Sequence, residues 1–155
     1  MRKLPQSGFT LIELLIVIAI IMVLSAVGAV GYMMAVRVTR DAKRQADLKI
    51  ISSALEQYQN DAHNYPPNQI TFTIGMNLTD PTGTKVYLND VPTDPSPSST
   101  YPLYLYTPLT RTGASCSGTP ANCQFYCLYA VLEAGSSMAA LCPDTGSYNL
   151  EVTPP

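Results

Sequence analysis

The sequence predicts an α+β chain in which one long N-terminal helix, apolar over its first half, packs against a small antiparallel β-sheet. Three observations lead there. A run of 23 residues without a charge extends from Leu14 to Val36. Of the thirteen prolines, Pro5 precedes this run and the other twelve begin at Pro66, so a long window holds nothing that breaks a helix. After Pro67 the pattern changes to short alternating runs separated by turn residues, which is how strands read.

Residues 1–8, MRKLPQSG, form a short leader with Arg2, Lys3, Pro5 and a flexible Ser7–Gly8 joint that a protease could hold in extended form. A secretory signal places its small-residue cleavage site after the apolar run. Here the candidate site, after Gly8, lies before it, so the apolar helix would stay on the product and Phe9 would become the new amino terminus. At 1.5 Å per residue the run from Leu14 to Val36 covers roughly 35 Å, enough to cross a bilayer core of about 30 Å. Glu13 stands at its entrance among Phe9, Leu11, Ile12 and Leu14. A carboxylate at the centre of a membrane helix costs about 2.5 to 3.5 kcal/mol, so a charge at this place calls for a partner. The Phe9 amine, of the same chain or of a neighbouring copy, is one. Gly28 and Gly31 each cost roughly 1 kcal/mol relative to alanine in a helix interior. They read as sites of close helix approach among Ser25, Ala26 and Ala29, or as a weak point where the helix can unwind.

The helix is expected to run over 9–61, with about 10–36 as the membrane segment and 37–61 as the spine of a head formed by 62–155. Leu48, Ile51, Leu55, Tyr58 and Ala62 recur at three- and four-residue steps and make an apolar stripe on a polar helix. Asp61, Asn64 and Tyr65–Pro66–Pro67 end it. Strands are then expected around Ile70, Phe72 and Ile74, around Tyr101, Leu103 and Leu105, over Phe125–Leu132, and over Tyr148–Val152. Turn residues separate them at DPTG from Asp80, at PTDPSPSS from Pro92, at RTGAS from Arg111 and at PDTG from Pro143. A sheet laid on the helical stripe would bury both apolar faces.

Charge is sparse and uneven. Charged residues are 13% of the chain and the net charge is −2. Arg37, Arg40, Lys43, Arg44 and Lys49 crowd behind the apolar run, whereas from Ala62 onward Lys85 and Arg111 face Asp80, Asp90, Asp94, Glu133, Asp144 and Glu151. The head is therefore acidic, which argues against a nucleic-acid-binding surface. Counting cations near the two ends of the span would place the leader outside the cell.

The four cysteines, Cys116, Cys123, Cys127 and Cys142, permit three pairings. Gly118 and Pro120 suit a small closure between Cys116 and Cys123, and strands meeting around Ala134–Gly135–Ser136 would bring Cys127 opposite Cys142. Those two pairs are the expected disulfides. Zinc is the competing use, but there is no CxxC pair and His63 is distant. No catalytic constellation is present: His63, the only histidine, has no identifiable nucleophile beside it, and there is no phosphate-binding loop or metal-spaced cluster. Neither enzyme activity nor a cofactor is expected. The tyrosines read as packing across a sheet rather than as a carbohydrate-binding platform.

Gly8, Phe9, Thr10, Leu11, Ile12 and Glu13, followed by LLIVIAII, resemble the class III signal of type IV prepilins and type II secretion pseudopilins. That resemblance implies cleavage between Gly8 and Phe9 by a prepilin peptidase, N-methylation of Phe9, and a Glu13 that meets the Phe9 amine of the adjacent subunit in a filament. It implies a type IV pilin-like fold, and a filament of identical copies as the main partner. Assembly platform proteins, and membrane lipid before assembly, are the other partners. A peptidase at the cytoplasmic face, together with cysteines suited to an oxidising compartment, outweighs the count of cations. The expected location is then the inner membrane with the leader in the cytoplasm and the head outside, followed by an extracellular or periplasmic filament. Tyr65–Pro66, the stretch from Tyr87 to Pro95, Tyr101 and Tyr104–Leu105–Tyr106 look like the helix exit, loop and strand of major pseudopilins. The acidic, glycine-rich calcium loop of many of those proteins is not recognisable, since PDTGS near Asp144 has one carboxylate. The competing reading is a membrane-tethered extracytoplasmic binding module that does not polymerise.

Overall fold

A computed structural model of the chain describes residues 8–98, 100, 102–116, 118, 122–135, 142–143 and 148–154. The leader residues 1–7, and Tyr101, Pro120 and the turn at Asp144, lie outside these. One helix, α1, runs over Leu11–Ala62, 52 residues. It begins two residues later than expected because Thr10 caps it, and ends at His63, whose φ of 59° carries the chain out of the helix. The His63 N–H still reaches the Gln59 carbonyl at 2.7 Å, and Asn64 Nδ2 donates to the Ala62 carbonyl at 2.9 Å. Tyr65, Pro66 and Pro67 then prevent further helix.

The chain divides into two compact units, the first ending at Arg37 and the second beginning at Val38. In the first, the helix is long and apolar enough to cross a membrane, and none of its apolar span is buried. Large side chains from Leu11 to Met34 face outward around the whole circumference. An added Cβ at Gly28 or Gly31 would meet nothing within 4 Å.

In the second unit α1 lies on a four-stranded antiparallel sheet of order β1-β4-β5-β6, formed by β1 (Ile70–Thr71), β4 (Leu105–Leu109), β5 (Phe125–Ala130) and β6 (Leu150–Val152). A separate hairpin pairs β2 (Leu78–Thr79) with β3 (Val86–Leu88). The stripe of Leu48, Ile51, Leu55 and Tyr58 is buried against Tyr104, Tyr106, Tyr126, Leu128 and Ala130, while Ala62 is only half-buried. On the opposite face of β5, Cys127 and Tyr129 pack with Leu109, under Cys142 and Tyr148. Because β5 is covered on both faces its sequence, FYCLYA, shows no alternation.

Four strands, β1 to β4, depart from expectation. β1 is short because Thr73 to Met76 turn, with the Met76 N–H on the Thr73 carbonyl at 3.2 Å and Gly75 at φ 77°. β4 lies further along than the expected run around Leu103. It pairs with β5 from Leu105↔Tyr129 to Leu109↔Phe125, passing through Pro108, which read locally argues against a strand. The Pro108 carbonyl accepts from the Cys116 N–H at 3.5 Å, on the edge away from β5, so the β5 ladder needs no N–H from this residue. The β2–β3 hairpin escapes a periodicity reading because strands of two and three residues carry no period. Its turn is held by Asp80, whose carboxylate accepts the Lys85 N–H at 2.8 Å and the Thr82 hydroxyl.

Candidate functional site

Two places in the chain concentrate polar chemistry, the start of α1 and the region from Arg40 to Asp47. At the first, Gly8, Phe9 and Thr10 lie outside any regular element and are exposed, Phe9 at 89%. The peptide bond between Gly8 and Phe9 is thus on an accessible, unpaired segment of backbone, the form in which a protease takes its substrate. Thr10 is the N-cap. Its N–H and hydroxyl both donate to Glu13 Oε2, at 2.8 and 2.7 Å, while its Oγ1 accepts the Glu13 N–H at 3.3 Å. These reciprocal bonds are a capping box, T-x-x-E, satisfying two backbone donors that a helix start leaves orphaned. Glu13 therefore has a partner inside its own chain, one that the reading of it as a bare membrane charge passes over. The box contains no residue before Thr10, so cleavage after Gly8 leaves it whole. The second Glu13 oxygen is not used by the cap.

At the second place, Arg44 is fully buried. Its Nε and Nη2 grip Asp94 at 2.7 and 3.0 Å, and its Nη1 donates to Asp41 at 2.8 Å and to Glu133 at 2.9 Å. Arg40 joins through Nε to Glu133 Oε1 at 2.5 Å and through Nη2 to the other oxygen. Asp41 also accepts the backbone N–H groups of Glu133 and Ala134 at 2.9 and 2.8 Å, and Asp94 that of Ser96 at 2.8 Å. The cluster ties two segments of the head, around Asp94 and around Glu133, to one stretch of α1. Burial by itself would lower the Arg44 pKa, but the bonds to Asp94, Glu133 and Asp41 outweigh it and hold the guanidinium above its ordinary value. The Arg40 guanidinium, helped by Arg44 and opposed by burial, brings the Glu133 carboxyl down to about 2. Burial raises Asp47, against the hydrogen bond it accepts from the Tyr104 hydroxyl at 2.9 Å. Two of the five cations behind the apolar run, Arg40 and Arg44, are thus bound within the chain. Apart from Asp41, one helical turn from Arg44, their partners lie 50 to 93 residues away, beyond anything local spacing reveals.

The structure joins Cys116 to Cys123 and Cys127 to Cys142, with Cα separations of 5.5 and 5.9 Å. Tyr104, Tyr106, Tyr126 and Tyr129 are buried, so they offer no aromatic surface to a sugar. His63 is exposed at the helix end. Among the described residues no group of histidines, cysteines and carboxylates could hold a metal ion.

Residues 3–29 match the family model of the prokaryotic N-terminal methylation motif, a stretch that holds Gly8, Phe9, Glu13 and the first part of the apolar run. The chain is also similar to the type II secretion system core protein G of Pseudomonas aeruginosa, 35% identical over 69 residues, which are 44% of this chain and 49% of the relative. The matched part spans about half the length of that protein. No solved structure matches the chain. The two matches support the type IV pilin and pseudopilin family to which the leader, the apolar helix and the α+β head point.

Proposed function

We propose that the chain is a structural, non-enzymatic subunit of a type IV pilus or type II secretion pseudopilus, assembled into a helical filament through its N-terminal helix. The observation that carries this reading is Glu13, a carboxylate held at the mouth of an unburied apolar helix and inside the matched methylation motif. The apolar segment stores the subunit in the inner membrane with the head outside. A prepilin peptidase hydrolyses the Gly8–Phe9 bond, leaving a carboxylate on Gly8 and an ammonium on Phe9. N-methylation replaces a proton of that amine and preserves its charge. Glu13, already facing outward from its cap, then meets the Phe9 ammonium of the next copy, and helix packing replaces lipid around the apolar surface. Platform proteins of the assembly machine and the peptidase are the other partners. A charge pair of this kind, formed in a low-dielectric setting, discriminates strongly between correct and incorrect register.

The capping box permits a clean test. Glutamine serves at the third helical position of such a box as well as glutamate does, but carries no charge. Glu13→Gln should therefore preserve insertion and the helix start while sharply reducing filament yield, whereas Thr10→Ala should cost only the cap, about 1 kcal/mol. Sheared material from cells producing each variant, weighed by immunoblot and viewed by electron microscopy, gives the answer. Normal filaments from Glu13→Gln would mean that the carboxylate is there for the cap alone. Absence of filaments from cells producing the unaltered chain would instead favour a membrane-tethered extracytoplasmic module that does not polymerise.

A further inference from the structure

The second unit carries a cleft of about 650 Å³ between the end of α1, the stretch entering β1, and β2. That volume lies within the usual range for ligand pockets. Its floor is aliphatic, from Ile70, Met76 and Leu78. Tyr58 and Phe72 also line it, but at 3% and 1% exposure neither offers the open face of its ring. No charged side chain lines it. Three carboxamides do, from Asn64, Asn68 and Asn77, and hydrogen bonds within the chain fix which way the first and the third are turned. Asn64 donates its Nδ2 to the Ala62 carbonyl at 2.9 Å, which leaves Oδ1 as an acceptor. Asn77 uses Oδ1 to accept the Asp90 N–H at 2.8 Å, which leaves Nδ2 as a donor.

One acceptor and one donor, set in advance beside an aliphatic floor in an uncharged cleft, complement a peptide group that carries an apolar side chain. Neither the Tyr58 nor the Phe72 ring gives a saccharide a face to stack on. An acyl chain would leave Asn64 Oδ1 and Asn77 Nδ2 desolvated and unpaired. We infer that this cleft binds an extended, uncharged segment of another polypeptide. Its N–H donates to Asn64 Oδ1, its carbonyl accepts from Asn77 Nδ2, and a leucine-like side chain lies on Ile70 and Met76, above the buried Leu78. The inference goes beyond the filament reading and stands whether or not the chain polymerises.

The test uses the full chain in lipid nanodiscs, titrated calorimetrically with the blocked peptide acetyl-Ser-Leu-Ser-Leu-amide, with empty nanodiscs as the blank. Saturable heat above the blank is expected. The same peptide with aspartate in place of both leucines should give none. Asn77→Asp keeps the acceptor for Asp90 but removes the donor, and should weaken binding by about tenfold, the worth of one hydrogen bond. Circular dichroism establishes that this variant is folded, and Met76→Lys, which puts a cation on the aliphatic floor, should abolish binding by an independent route. The inference is overturned by absent saturation, by equal binding of the aspartate peptide, by unchanged binding to folded Asn77→Asp, or by saturation with maltose where the peptide gives none.

Discussion

The two halves of α1 invert the usual relation between hydropathy and burial. From Leu14 to Ala35 the helix is apolar and exposed, and after Val38 it is largely polar yet buries Asp41, Arg44 and Asp47 together with its apolar stripe. Burial is decided by what the rest of the chain can supply. The head offers Asp94, Glu133 and Tyr104 as partners for the second half. The apolar half has a span of membrane length with none of it buried, whereas the polar half has its buried Arg44 paired within the chain.

The sharpest way to break this contrast is to remove the cation that the polar half conceals. Arg44→Met should destabilise the head by about 3 to 5 kcal/mol, because Asp94, Asp41 and Glu133 would be left as buried carboxylates without their shared partner. Chemical denaturation of the head, followed by tyrosine fluorescence, measures this. Next in size is a charge on the other half. Val23→Asp should cost about 2.5 to 3.5 kcal/mol of membrane insertion although Val23 is 65% exposed. The same aspartate at exposed Gln57 should change stability by less than about 0.5 kcal/mol. Equal effects at both sites would erase the distinction between the two kinds of exposure.

The smallest effect is that of pH. Glu133 has its pKa lowered from 4.5 to about 2 in the folded head, chiefly by Arg40. Its contribution to stability is present in full above pH 4.5 and is lost as the pH falls through 2. Asp47 works in the opposite sense. Its pKa is raised by burial, so the folded state gains as that carboxyl is protonated, and part of the loss is offset. Thermal melts from pH 6 to pH 2 should show a decline that Glu133→Gln makes shallower.

The fold class was legible because its signals are local. An uncharged run, a proline-free window and a three- and four-residue stripe lie within stretches that a reader can scan, and the helix and its packing on a sheet follow from them. The charge cluster was not legible. Arg44 looks like any lysine or arginine behind a membrane segment until the chain brings Asp94 and Glu133 to it. The β2–β3 hairpin was hidden by brevity, and β4 runs through Pro108, a residue that read locally argues against a strand. At the start of α1 the T-x-x-E spacing stands in plain view, yet the unusual setting of Glu13 draws attention from its ordinary role as a cap. A residue with an exotic reading still has to be checked for the simple one.

Ten tyrosines and no tryptophan leave phenol as the chain's one intrinsic chromophore of consequence. Burial holds Tyr104, Tyr106 and Tyr126 far above the ordinary phenol range and Tyr129 at about 12. Their hydroxyls are tied to Asp47, Pro66, Ser52, Glu56 and Pro143. In alkali these rings should stay colourless while the head is closed and yield phenolate together when it opens. An absorbance trace can thus follow the integrity of the head in a sample still embedded in lipid, with no label attached.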